Sequence, residues 1–239
     1  MQKSLLTLAL GLAISGAAAA QTLSGGDPAA PRPAGTPIPL GGTSISQQTN
    51  NTPGTAGVSC GTTGVNTAEN SFYRRFYFSE HGAGPSATVS AVQIALRDGN
   101  AGASAALPIT VNLYTIPAST PVDTIPLASL TQIGTATANV AIPAGNVPTA
   151  FTIPVTGTVA DTTASNLVVE WTNGVGAVSV PQFFPANNTN PETHPSFIRA
   201  PTCGITAPVT FASINFPAAL VMVVEGTGLP VELQQFQVD

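Results

Sequence analysis

Proline and glycine occur 22 and 23 times in this chain of 239 residues and interrupt most windows long enough for an amphipathic helix. Proline removes a helical N–H and glycine adds backbone entropy to be lost, so this punctuation rejects helical architectures. Between the breaks lie short apolar and β-branched runs, at 71–79, 88–97, 108–116, 131–142, 150–155, 166–172, 178–184, 196–200 and 219–226. Several alternate with period two, as in Val92/Ile94/Leu96 and Ile109/Val111/Leu113, the pattern of strands with one buried and one wet face. Asp98-Gly99 reads as a tight turn and 186–195 as a long polar loop. Eight or nine such strands predict an all-β fold, an antiparallel β-sandwich of jelly-roll or immunoglobulin-like connection.

The run Leu220 to Val224 is apolar at consecutive positions, which predicts a central strand covered on both faces. Cys203 lies on a Pro/Gly turn before it, and Cys60 precedes the first clear strand. Two cysteines this far apart make a poor zinc site; in an oxidising compartment they read as a disulfide, with two buried free thiols as the alternative. A bridge between them closes a loop of roughly 144 residues, a constraint of about 5 kcal/mol as an upper figure.

The N-terminus sets the compartment. Lys3, an apolar run from Leu5 to Ile14 and Ala18-Ala19-Ala20 make an export leader over 1–20, with a mature start at Gln21. The run is too short for a membrane span, and no cysteine follows it for a lipid anchor. The expected location is therefore extracellular or at the cell surface, in preference to the periplasm. Residues 21–57, rich in Gly, Pro and Thr, read as a flexible, disordered tether in which 43–48 adds an edge strand. The sandwich domain is expected over 58–228, with 229–239 as a tail or edge strand.

Of six Lys and Arg residues, Lys3 leaves with the leader, so five basic groups face eleven acidic ones. Nucleic-acid binding and attraction to anionic lipid both need a basic patch that this chain lacks. No cofactor is expected, and no membrane insertion.

The segments VSC at 58–60, ENSFYRRF at 69–76, ITVNLYTI at 109–116, CGI at 203–205 and ASINFPAALVMVVEG at 212–226 resemble an uncharacterised β-sandwich domain of secreted bacterial proteins. LPVELQQF at 229–236 is similar to an LPVEL segment that precedes a sorting or anchoring domain in many exported bacterial proteins. Here the chain ends at Asp239, and no such anchor is expected. The resemblance implies secretion or surface association, and it carries over no catalytic residues.

Candidate chemistry is sparse. Gly57-Val58-Ser59-Cys60-Gly61 matches the G-x-S-x-G pattern of a nucleophile elbow, but its Pro/Gly and Thr/Gly flanks do not read as strand and helix. His81 and His194 each have a nearby carboxylate, Glu80 and Glu192, in loops where solvated side chains are the plain reading and a metal site joining the loops the sharper one. Asp98-Gly99-Asn100 lacks the other ligands of a calcium loop. On 72–78, alternation puts Phe72, Arg74, Phe76 and Phe78 inward and Tyr73, Arg75 and Tyr77 outward, a possible ligand surface for a glycan or a cell-surface protein. The competing reading makes these side chains cross-strand packing. Trp171 reads as a core or rim aromatic. Two functions follow: a non-enzymatic structural, adhesive or glycan-binding module, or a polysaccharide hydrolase using carboxylates such as Glu80, Glu170 or Glu192.

Overall fold

The computed structural model of the protein describes residues 22–26, 43–48, 50–99, 104–174 and 182–229. The expected export leader, residues 21, 27–42 and 49 of the expected tether, the start of the 178–184 strand and the LPVEL segment after Leu229 lie outside the described residues.

Each period-two run becomes a strand because its apolar half can be buried against a facing sheet while its backbone pairs laterally. The strands are β1 (Thr22–Gly26), β2 (Ser44–Ser46), β3 (Gly57–Thr62), β4 (Asn66–Thr67), β5 (Ser71–Phe76), β6 (Ala87–Asp98) and β7 (Ser104–Pro117). They continue as β8 (Thr131–Ile142), β9 (Thr149–Val159), β10 (Ser165–Thr172), β11 (Phe183–Pro185), β12 (Phe197–Ala200), β13 (Ile205–Thr210) and β14 (Met222–Thr227). One antiparallel sheet runs β13-β12-β5-β10-β7-β8; a second runs β11-β6-β14-β2, with β9 also on β6; a small third is β1-β3-β4.

The sandwich core forms where the inner faces of the two larger sheets meet. Phe72 and Phe76 of β5, Val169 and Trp171 of β10 and Val111 and Leu113 of β7 pack with Val92 and Ile94 of β6, Ile153 of β9 and Met222 and Val224 of β14. Trp171 is fully buried and stacks on Phe72, ring centroids 4.3 Å apart. The predicted double cover of the last strand is present: Val221 and Val223 turn the other way and pack with Ala95 and Ala186. The β14 strand lies between β6 and β2, so the short strand at 44–46 takes the edge.

Three expectations need correction. The strand expected over 71–79 stops at Phe76, and Phe78–His81 forms one helical turn, α1, closed by Gly82 in the left-handed region at φ 63°. Asp98-Gly99 does not turn a hairpin, because β6 and β7 belong to different sheets and the chain crosses between them there. The tether expected to end at residue 57 is ordered in part. Thr22–Gly26 pairs with β3, and Gln47, Gln48 and Asn51 are buried polar residues with partners in the fold.

The disulfide joins Cys60 to Cys203, with Cα atoms 5.9 Å apart and a sequence separation of 143. Cys60 sits within β3 rather than ahead of the strands, and Cys203 ends the short 3-10 turn after β12. The bond therefore staples the small sheet to the six-stranded one. On the opposite flank, β8 and β9 abut without pairing. A Cβ on Gly134 would collide with the Thr156 carbonyl, so glycine is what permits that approach.

Reducing the disulfide, or Cys203→Ala, is expected to lower unfolding free energy by up to about 5 kcal/mol, measured by denaturant melts with and without reductant. Gly134→Val is expected to cost about 1–3 kcal/mol by overpacking the β8–β9 corner, with the disulfide intact by thiol titration.

Candidate functional site

Alternation along β5 turns Ser71, Tyr73 and Arg75 away from the sandwich core, as expected, but that outer face is not open. Residues 118–130 leave β7, fold back across it as a strap and return into β8. Ile125 of the strap packs with Tyr73, Ile116, Val168 and Phe197, and with the partly buried Tyr114 and Leu130. The expectation of an outward Tyr73/Arg75/Tyr77 surface is thus corrected: these residues are only 2, 1 and 6 % exposed. The reason is the guanidinium of Arg75. It donates from Nη1 to the carbonyls of Pro121 (2.8 Å) and Thr124 (3.2 Å) and from Nη2 to that of Thr120 (3.0 Å), so the strap's backbone meets both terminal nitrogens, while the buried Nε has no hydrogen-bond partner among the described residues. It also lies 4.7 Å from the centroid of Tyr77, a cation–π distance.

From the strap's margin outward, a row of polar side chains crosses β10, β7 and β8. Glu170 Oε2 accepts from Asn112 Nδ2 and from Tyr114 Oη, both at 2.9 Å, and Thr135 Oγ1 donates to Asn112 Oδ1 at 2.7 Å. Thr110 and Thr137 share a hydroxyl contact of 2.8 Å alongside. The β7 register puts Asn112 opposite both Glu170 and Thr135, which is why the row forms. Burial, with the Glu170 carboxylate second, raises the phenol of Tyr73 far above its usual range, and the same two causes in the same order act on Tyr114.

A second cluster closes the strap's far end. His194, on the loop before β12, lies against Tyr77 with ring centroids 4.1 Å apart. Its Nδ1 is 2.8 Å from Asp123 Oδ1, and its Nε2 is 2.8 and 2.9 Å from the two oxygens of Glu80 on α1. Tyr77 Oη in turn accepts the Asp123 amide at 2.9 Å. The loops joined by a metal in the sharper sequence reading do meet, but the two carboxylates lie on opposite ring nitrogens and cannot converge on one cation. Among the described residues no group of three or more His, Cys, Asp or Glu can hold a metal ion. Burial holds the neighbouring His81 imidazole below its ordinary value, with Glu80 opposing that shift and His194 adding to it.

The carboxylates named as hydrolase candidates do not come together. Glu80 serves His194, Glu170 belongs to the sheet-face row, and Glu192 pairs with the buried Arg74 at 2.8 Å while accepting from Ser196. Ser59 of the G-x-S-x-G segment is a buried residue inside β3, its hydroxyl donating to the Phe183 carbonyl at 3.1 Å. The chain continues into a turn and β4, so no elbow forms.

No family model, no curated protein and no solved structure matches the chain. Among the described residues, no helix is long and apolar enough to cross a membrane.

Sequence reasoning singled out Arg75, Tyr77, Glu80, Glu170 and His194 but missed Asp123, Asn112, Tyr114 and Thr135. Asn112 and Tyr114 carried a usable signal, since they occupy the polar phase of ITVNLYTI. Asp123 carried none, because it reaches His194 across 71 residues.

The protein has three tyrosines, Tyr73, Tyr77 and Tyr114, and burial raises all three phenols. A phenol with a raised folded value contributes stability below its unfolded value of about 10 and loses it as pH rises further. Phenolate absorbance at alkaline pH is therefore expected to emerge together with loss of the near-ultraviolet circular dichroism, not ahead of it.

Proposed function

We propose that the protein is an exported, non-enzymatic module that holds a glycan or other cell-surface polymer against the outer face of its six-stranded sheet, in an adhesive or structural role. The observation that carries this reading is the row Tyr114–Glu170–Asn112–Thr135, which runs from the half-buried Tyr114 and the buried Glu170 at the strap's margin out to Asn112 and the exposed Thr135 beyond it. Sugars present an apolar ring face and a fringe of hydroxyls, so their recognition needs an aromatic surface beside fixed donors and acceptors. Tyr114 supplies the ring, and Asn112, Thr135, Thr110 and Thr137 supply the fringe. Glu170 acts beneath them: by accepting from Asn112 and Tyr114 it fixes both before a ligand arrives, which lowers the ordering cost of binding.

Three further features support the reading. A disulfide suits an oxidising compartment outside the cytoplasm. The resemblance to domains of secreted bacterial proteins points the same way. The acids that a hydrolase would recruit are dispersed among separate networks, whereas glycoside hydrolysis needs a facing pair.

The test is a glycan array followed by calorimetry on the mature protein. Asn112→Ala and Thr135→Ala are expected to weaken any binding found by about tenfold or more, as loss of fixed polar partners does, while the thermal midpoint stays within a few degrees. An array without hits, with the protein assembling on itself or on cells, would move the reading to a purely structural role.

A further inference from the structure

We propose that His194 is a proton-operated latch that fastens the 118–130 strap and α1 to the end of the sandwich. The reasoning starts from what an imidazole can donate. A neutral ring has one N–H and one lone pair, so it can satisfy only one carboxylate; the other would face the lone pair across 2.8 Å. With both nitrogens protonated the ring donates to Asp123 and Glu80 at once, and both contacts become charge-assisted. The arrangement is therefore complete only in the imidazolium form.

The groups facing His194 can be named from every element packed against it. The α1 turn contributes Glu80 and His81, the strap contributes Asp123, the junction between β5 and α1 contributes Tyr77, and behind it β5 contributes the cation of Arg75. On its own loop Glu192 is engaged by Arg74 and Ser196. The latch is accessible to solvent protons: the side chain of His194 is 14 % exposed, and those of Glu80 and Asp123 are 45 and 44 %.

The strap has two kinds of fastening, and only one responds to protons in the range where imidazoles titrate. Arg75 grips the carbonyls of Thr120, Pro121 and Thr124 at any ordinary pH, and Tyr77 Oη keeps the Asp123 amide. The Asp123–His194–Glu80 bridge depends on the ring's second proton. Its loss turns one of the two contacts repulsive and frees Asp123 or Glu80. Both fastened elements also wall an open cleft of about 360 Å³, with Phe78 and Ser79 of α1 and Ala118 at the root of the strap facing Thr162, Thr163 and Asn166. The proton on His194 thus sets how firmly those walls are held together, independently of any ligand on the sheet face.

Amide hydrogen exchange on the mature, disulfide-intact protein tests this. After correction for intrinsic exchange, protection of the 118–130 segment is expected to rise about three- to tenfold between about pH 8 and about pH 5.5, the span over which imidazoles take up a proton. His194→Gln and, separately, Asp123→Asn should flatten the response, while protection of β10 and β14 stays as in the parent, which certifies that each variant is folded. Strap protection that does not change with pH in the parent, or that keeps its pH response in both variants, would overturn the latch.

Discussion

A guanidinium sealed between two sheets is the constraint on which the rest of this fold depends. Arg74 points inward from β5 between Phe72 and Phe76 and is fully buried, so each of its donors must be met by protein. Nε donates to the Leu220 carbonyl just ahead of β14, Nη1 to Gln47 after β2, and Nη2 to Glu192 in the loop before β12. Burial lowers its pKa to about 10, with Glu192 opposing the shift, so it stays charged at neutral pH. Four segments far apart in sequence are thereby required to converge. Gln47 then reaches on to the Arg75 carbonyl, and Glu192 caps Ser196, whose hydroxyl accepts the Leu220 amide at 2.8 Å. Such a network is costly if any member is missing, and it selects one packing of the two sheets over near alternatives.

The next residue outward repeats the device on the other face. Arg75 sends its guanidinium to three strap carbonyls and so converts the 118–130 connection into a second layer over Tyr73 and Val168. Adjacent arginines on one strand thus do opposite jobs. One joins the sheets, and the other covers the outer face over β5, β10 and the Tyr114–Ile116 end of β7, leaving β8 and the Thr110–Asn112 part of β7 as the uncovered area. The boundary of the proposed ligand platform is set by how far that strap reaches.

The fold class was legible because period-two runs and frequent Pro and Gly are local signals, and both point to strands. The strands that escaped detection are those whose residues look like turns: β3 contains two glycines and β13 carries Pro208. The disulfide was legible by arithmetic, since two cysteines in a chain expected to be exported have one pairing. The outward face of β5 was misjudged for a different reason. Alternation reports which side of a sheet a residue takes but not what lies over that side, and a strap of Pro, Thr, Val and Asp has the composition of an exposed loop. The His194 cluster depends on contacts across 71 and 114 residues, for which neither spacing nor composition gives a hint.

The glycine corner at β8 and β9 also bears on life at high concentration. By pressing two sheet margins against each other it hides both from passing strands, and the remaining margins are poor templates. The β2 strand is only three residues long, and β13 presents Pro208, which has no N–H to offer. A chain with so few charges has little electrostatic repulsion to keep its copies apart. Blunted rims supply that safeguard by geometry, so neighbouring molecules can crowd without zipping into fibrils.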